Sequence, residues 1–148
     1  MNLPRLQKII PSLLFLMIPC LTYAQMGKIY RGTINYKIKI TLYLEGMDEG
    51  TNADPITASY KYDAGKGYIL LNGHKNNNGN ISLVELSSVN FTGTFVGTVK
   101  GAEITGRWIS ADQKIEYHFK LTESPSDQAQ INRFRNETVN KASNLRTY

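Results

Sequence analysis

Glu85 is the carboxylate in this sequence whose position most suggests chemistry. It shares the parity of Ile81 and Leu83 in an alternating stretch, so its side chain is expected to point toward the apolar side. An inward carboxylate must be paired or lie at an opening to solvent. Arg107, in a neighbouring part of the predicted sheet, is its candidate partner. Two interpretations stay open: the pair lines the mouth of a ligand site, or it forms an ion pair at a strand end.

Aromatic side chains form the second candidate set. Tyrosine and tryptophan combine an apolar body with a polar tip, which suits binding sites, but aromatic residues also dominate ordinary cores. A ligand site and plain core packing are therefore both open for this set. The predicted ligand-binding residues are Tyr60, Tyr62, Tyr68, Glu85, Phe95, Arg107 and Trp108.

The sequence contains no recognisable catalytic or metal-binding constellation. His74 and His118 have no histidine or carboxylate at ligand spacing, and nucleophile elbows, HExxH, P-loops and dinucleotide fingerprints are missing. Catalysis needs at least a base and a stabilising group within reach of each other. The sequence predicts no catalytic residues, no metal and no cofactor, and a small hydrolase or isomerase using Glu85 is the alternative.

Period-two alternation predicts the strands that position these residues. Residues 91–109 form the clearest hairpin, in which Phe91, Gly93, Phe95 and Gly97 share one parity and a turn follows at Gly101. Glycines inside strands indicate a bulge, a bend or a close backbone approach. The remaining strands are predicted at residues 28–34, 36–44, 56–62, 68–72, 80–86 and 114–121.

The faces of two predicted strands follow from the same alternation. The inward sets are Tyr36, Ile38, Ile40, Leu42 and Leu44 in the second strand and Ile115, Tyr117, Phe119 and Leu121 in the last. Lys37, Lys39, Thr41 and Tyr43 are assigned to solvent. About eight short strands joined by tight turns predict an all-β, antiparallel, up-and-down meander that closes into a small barrel.

The two ends of the chain differ from this pattern. Residues 1–24 have a basic start, an apolar run and small residues before Gln25, which predicts a secretory signal peptide cleaved after Ala24. The barrel domain is assigned to residues 25–124. In the tail, residues 125–148, apolar and small side chains recur at three- and four-residue steps, which is compatible with a weak amphipathic helix or a disordered tail. The recurring residues are Ile131, Phe134, Thr138, Ala142 and Leu145.

Composition restricts the function further. Cys20 is the single cysteine and leaves with the signal peptide, so the mature chain has no disulfide or thiolate chemistry. Residues 25–124 carry 11 basic and 10 acidic side chains, which is not the balance of a nucleic-acid-binding domain. We expect a secreted or periplasmic protein with no nucleic-acid partner and no transmembrane span after signal removal.

Several motifs resemble an uncharacterised all-β domain of secreted bacterial proteins of the Bacteroidetes type. They are SYKYDAGKGYILLNG, ISLVEL, FTGTFVG and ITGRWIS, with the G-x-F-x-G and G-x-W patterns, over roughly residues 29–121. Ala58 stands where that domain usually has glycine. The resemblance implies the fold and no known activity. The strand count is also similar to avidin- and lipocalin-type barrels, but the tryptophan lies in the seventh strand, so none of their site residues carries over.

These observations predict a non-enzymatic binding module. Its partner is expected to be a small apolar molecule or an envelope protein or glycan, with a purely structural envelope protein as a further alternative. A large interior cavity beside Glu85 and Arg107 would favour the small ligand, whereas a filled interior with an exposed tyrosine-rich patch would favour a protein or glycan.

Overall fold

The computed structural model describes residues 27–47, 50 and 52–145, so the predicted signal peptide at 1–24 lies outside the described residues. Eight strands are followed by one helix. The strands are β1 (Lys28–Ile34), β2 (Ile38–Glu45), β3 (Asp54–Tyr62), β4 (Ile69–Lys75), β5 (Asn80–Ser87), β6 (Asn90–Lys100), β7 (Glu103–Ser110) and β8 (Glu116–Glu123), and the helix is α1 (Gln128–Leu145).

The strands form a closed antiparallel barrel. Each strand pairs with the next along the chain, and β8 returns to pair with β1, where Gly32 lies opposite Leu121. Closure removes the unpaired edges that an open meander would leave to solvent. The predicted eight-stranded up-and-down barrel is therefore confirmed.

Side chains fill the interior of the barrel. An eight-stranded barrel is only just wide enough inside for side chains or one small ligand. The inward positions carry large residues from every strand, and many of them are less than 2% exposed. The buried interior consists of Tyr30, Ile34, Ile40, Leu42, Leu44, Met47, Ile56, Ala58, Tyr60, Leu71, Ile81, Leu83, Phe95, Ile104, Phe119 and Leu121.

Four connections lie at one end of the barrel, here called the rim end: residues 35–37, 63–68, 88–89 and 111–115. The first is a tight turn in which Asn35 and Tyr36 both have left-handed backbone angles, with φ of 51° and 58°. Such angles match the twist of a two-residue hairpin and are easiest for glycine.

This turn corrects the predicted second strand. The strand begins at Ile38 rather than Tyr36, and Tyr36 is 79% exposed instead of buried. Ile38 and Ile115 were also predicted to face the core, yet they are 40% and 44% exposed. Both keep the inward parity, but they lie at the rim end, where the barrel has no further layer to cover them.

Helix α1 packs against the outside of the barrel, which confirms the helical alternative for the tail. The Asp127 carboxylate accepts the backbone N–H of Gln130 at 2.6 Å and caps the first turn. Ile131 and Phe134 lie on the buried face of the helix, where they cover Ile29 and Tyr43. Their burial supplies the stability that a lone helix of this kind lacks.

This contact also corrects the assignment of Tyr43 to solvent. Its ring is completely buried and stacks on Phe134 with centroids 6.1 Å apart. Its hydroxyl donates to the Glu45 carboxylate at 2.5 Å, and that carboxylate forms an ion pair with Arg135 at 2.9 Å. Thr41, likewise assigned to solvent, is only 5% exposed. Alternation correctly placed both residues on the outer face, but it does not reveal that a helix covers that face.

The Tyr43 hydroxyl makes this helix contact sensitive to alkaline pH. Burial, followed by the hydrogen bond to Glu45, raises the pKa of Tyr43 from 10.0 to about 12. The folded state therefore keeps a proton that the unfolded chain releases first. The stability that the protonated Tyr43 hydroxyl contributes is fully present below pH 10 and is lost as the pH rises to about 12.

Urea unfolding across this pH range tests the assignment. The free energy of unfolding is expected to fall less steeply with pH in Tyr43→Phe than in the unmodified protein. Tyr36→Phe removes the hydroxyl of an exposed tyrosine and serves as the control. Its free energy of unfolding is expected to change with pH as steeply as that of the unmodified protein. An identical pH slope for Tyr43→Phe and the unmodified protein would contradict the role of this hydroxyl.

Candidate functional site

Glu85 lies inside the barrel and is 5% exposed. One carboxylate oxygen accepts hydrogen bonds from the Tyr60 hydroxyl at 2.8 Å and from the Trp108 indole N–H at 2.9 Å. The other accepts one from the Thr92 hydroxyl at 2.7 Å. Three neutral donors from β3, β6 and β7 therefore hold a carboxylate supplied by β5.

A β-bulge brings Thr92 into this network. Glu85 lies opposite Gly93 and Leu86 lies opposite Phe91, so Thr92 is the extra residue in β6. The insertion shifts the alternation, which turns the Thr92 hydroxyl toward Glu85 and leaves Phe91 49% exposed. The predicted shared parity of Phe91 and Gly93 is therefore wrong at this one step.

Gly93 makes room for the tryptophan. A Cβ atom at this position would lie 2.7 Å from the Trp108 indole, including its nitrogen. Only a residue without a side chain permits the ring to lie against the backbone of β6 and direct its N–H at Glu85. The far side of the indole stacks on Tyr117, with ring centroids 5.9 Å apart.

Tyr60 joins the carboxylate to the aromatic core. Its ring makes edge contacts with Phe95 and Tyr62, each with centroids 5.5 Å apart, and its hydroxyl lies 3.3 Å from that of Tyr62. Burial, and then the negative charge of Glu85, raise the pKa of Tyr60 well above its usual range. Tyr60 is consequently a neutral donor at any physiological pH.

The structure brings together five of the seven predicted site residues and separates two. Arg107 points to the outside and forms an ion pair with Glu116 at 3.3 Å, so the predicted pair with Glu85 is wrong. Tyr68 contacts Phe134 of α1 from outside the barrel, with centroids 5.0 Å apart. Both lie on the opposite face of the sheet from Glu85, which excludes them from the interior cluster.

The polar side chains of the described interior form a satisfied hydrogen-bond network. No buried side-chain nitrogen or oxygen in the described part of the chain lacks a hydrogen-bond partner. Both oxygens of Glu85 are occupied by protein donors, as a stable buried carboxylate requires. Thr92 was missed by the sequence analysis, because the bulge that turns it inward has no marker except the neighbouring glycine.

Apolar side chains gather instead on the surface at the rim end. Nine large hydrophobic residues are exposed in the described part, and six of them lie at this end. They belong to the tight turns or to the strand ends beside them, and they encircle the end of the barrel that lies above Glu85. We call these six the rim residues: Tyr36, Ile38, Tyr62, Val89, Phe91 and Ile115.

Comparison with known proteins gives no match to any family model, curated protein or solved structure. Within residues 27–47, 50 and 52–145, no group of three or more His, Cys, Asp or Glu side chains is placed to hold a metal ion. The helix in the same part of the chain falls short of the length and apolarity that crossing a membrane demands.

Substitutions at Glu85 separate its acceptor role from its charge. Glu85→Leu removes the carboxylate that accepts from the Tyr60 hydroxyl, the Thr92 hydroxyl and the Trp108 N–H, and we expect a loss of about 2–5 kcal/mol in unfolding free energy. Glu85→Gln keeps an acceptor oxygen and is expected to cost about 1 kcal/mol. Urea unfolding measures both.

Glu116→Leu is the matched control, because it makes the same change on the outer surface. It is expected to alter stability by no more than about 0.5 kcal/mol. A Glu85→Leu protein as stable as the Glu116→Leu protein would contradict the network.

Proposed function

We propose that the protein is a secreted or periplasmic, non-enzymatic binding module that docks a partner protein on its rim residues. The observation that carries the proposal is the concentration of exposed apolar side chains at one end of a barrel whose other surfaces are mainly polar. Contiguous exposed apolar surface is typical of interaction sites. Aromatic residues are enriched at the centres of protein interfaces, and the rim contributes Tyr36, Tyr62 and Phe91.

A protein partner fits the rim better than the other predicted partners do. A small apolar ligand would need interior volume, and Tyr30, Tyr60 and Phe95 occupy that volume. A neutral glycan would need a convergent set of hydrogen-bonding groups, whereas Ile38 and Ile115 present only hydrocarbon. The filled interior and the exposed tyrosines therefore favour protein contact.

The alternative of a hydrolase or isomerase using Glu85 has little support. A general base must reach the proton that it removes. Glu85 is buried, and its two oxygens already accept three hydrogen bonds from the protein. A substrate would have to displace Trp108 or Thr92 before it could contact the carboxylate.

The rim can be tested with a matched pair of triple variants. One triple variant removes three exposed rim side chains through Ile38→Ser, Phe91→Ser and Ile115→Ser. The other removes three exposed large hydrophobic side chains from elsewhere in the described part, through Val84→Ser, Val96→Ser and Val139→Ser. A photo-crosslinking amino acid at Tyr62 in cells identifies the partner, which is then purified. The rim triple variant is expected to bind it at least tenfold more weakly, and the control triple variant within about twofold of the unmodified protein.

Three outcomes would overturn the proposal. The first is that both triple variants bind the partner equally weakly. The second is a small molecule that co-purifies in native mass spectrometry and is retained by the rim variant. The third is binding to neutral phosphatidylcholine vesicles that is lost only in the rim variant. The last would assign the rim to a membrane surface instead of a protein.

Tyr36 offers a separate test, because its backbone is strained while its ring is exposed. A non-glycine residue at φ 58° costs roughly 1–2 kcal/mol, and such strain often persists at functional positions. Tyr36→Gly is expected to keep or raise the melting temperature and to lower the affinity for the purified partner.

Ser88→Gly is the control for Tyr36→Gly. Ser88 has a similar φ of 57° in another turn of the rim end but presents no large apolar side chain. It is expected to affect stability in the same direction and to leave the affinity unchanged. Full affinity in Tyr36→Gly would remove this ring from the binding surface.

A further inference from the structure

A groove between α1 and the outer wall of the barrel gathers positive charge. Its volume is about 300 Å³, and its lining includes Arg31 of β1, Lys61 of β3 and Arg133 of α1. These residues are far apart in the sequence and come from three elements. Residues 25–124 are nearly balanced in charge, so the fold is what places Arg31 and Lys61 at one groove, and the tail adds Arg133.

The strand register explains how the cations meet. Arg31 lies opposite Thr41 in the pairing of β1 with β2, and Thr41 lies opposite Lys61 in the pairing of β2 with β3. The three residues form one row across the outer face, with Arg31 and Lys61 anchored roughly 10 Å apart. Tyr43 lies two residues after Thr41 in β2, and the helix that covers it brings Arg133 to the same groove.

Within the described residues, these cations have no carboxylate at salt-bridge distance. Six other basic side chains in the described part of the chain form ion pairs, but Arg31, Lys61 and Arg133 form none there. The one carboxylate in the lining is Asp63, and it accepts a hydrogen bond from the Thr41 hydroxyl at 2.8 Å. Like charges around one groove repel each other, and an anion bound between them relieves that repulsion.

We propose that this groove binds an acidic polysaccharide through its carboxylate or sulfate groups. The three cations supply contacts to the anionic groups, and arginine is well suited to them because its planar fork can donate two parallel hydrogen bonds. The Gln130 amide can pair with sugar hydroxyls, and the half-buried ring of Tyr68 gives a sugar ring an apolar surface to lie on. The groove borders the rim end through Asp63 and Tyr68, but none of the six rim residues lines it, and the proposal does not depend on the function assigned to the rim.

Other anionic partners fit the groove less well. No exposed large hydrophobic residue lines it, so it lacks the side chains that insert into a bilayer at an anionic lipid surface. A nucleic-acid site uses a longer basic stripe and several accessible aromatic rings, whereas this lining has Tyr68 and the buried Phe134. Cations spread over two strands and a helix suit charges repeated along a polymer better than one small ion.

Binding to defined polymers tests the proposal. The probes are heparin, polygalacturonate and neutral dextran, measured by biolayer interferometry with the full-length protein at two salt concentrations. Heparin or polygalacturonate is expected to bind and dextran is not, with weaker binding at the higher salt concentration because the contacts are electrostatic. The Arg31→Gln, Lys61→Gln, Arg133→Gln triple variant is expected to bind the acidic polymer at least tenfold more weakly.

A charge-matched triple variant controls for non-specific attraction. Lys37→Gln, Lys100→Gln and Lys141→Gln remove the same net charge from exposed positions outside the groove lining. This variant is expected to stay within about threefold of the unmodified protein, and circular dichroism verifies that both triples are folded. Equal weakening by the two triples would overturn the proposal, because net charge alone would then explain the binding.

Two further outcomes would also overturn it. One is failure of the unmodified protein to bind either acidic polymer at the lower salt concentration. The other is tighter binding to a single-stranded oligonucleotide, or to vesicles containing phosphatidylglycerol, that the groove triple variant abolishes. Either result would assign the groove to a different class of ligand or to none.

Discussion

The hydrogen bonds to the Glu85 carboxylate are the constraint on which the interior of the barrel depends. A buried carboxylate is tolerated only when donors replace the water that it loses. Here those donors come from β3, β6 and β7, so satisfying one side chain fixes the relative positions of four of the eight strands. An interior organised in this way has its polar groups already paired and its volume already occupied. The surfaces proposed here for recognition accordingly lie on the outside.

The bulge in β6 links the interior to the surface. Without the extra residue, strict alternation would turn Phe91 inward with Gly93 and Thr92 outward. The insertion exchanges those directions, so the Thr92 hydroxyl donates the third hydrogen bond to Glu85 and Phe91 becomes one of the rim residues. The same local irregularity thus serves the stability of the core and the apolar character of the rim end. Bulges often adjust the direction of side chains in this way.

Sequence alternation predicted the strands and most inward residues because a half-buried strand must place every second side chain in the core. It did not reveal what covers the outer face. Tyr43 and Ile29 are outward, apolar and directly opposite each other across β1 and β2, and a helix covers both. This outward apolar pair indicates a covered face, but it can be recognised only when the register of β1 and β2 is known. The Arg107 partner was wrong for a simpler reason: Arg107 has the opposite parity to Trp108, and Trp108 is the residue that points at Glu85.

The outer surface divides into regions with different physical origins. The rim forms where strands end, because inward residues such as Ile38 and Ile115 have no further layer above them. The charged groove forms between α1 and the outer face of the barrel, because docking of Phe134 against Tyr43 also brings Arg133 near Arg31 and Lys61. Elsewhere, cations such as Arg107 and Lys120 are neutralised by neighbouring carboxylates. The two proposed surfaces therefore depend on different contacts, and both lie on the outside of the barrel.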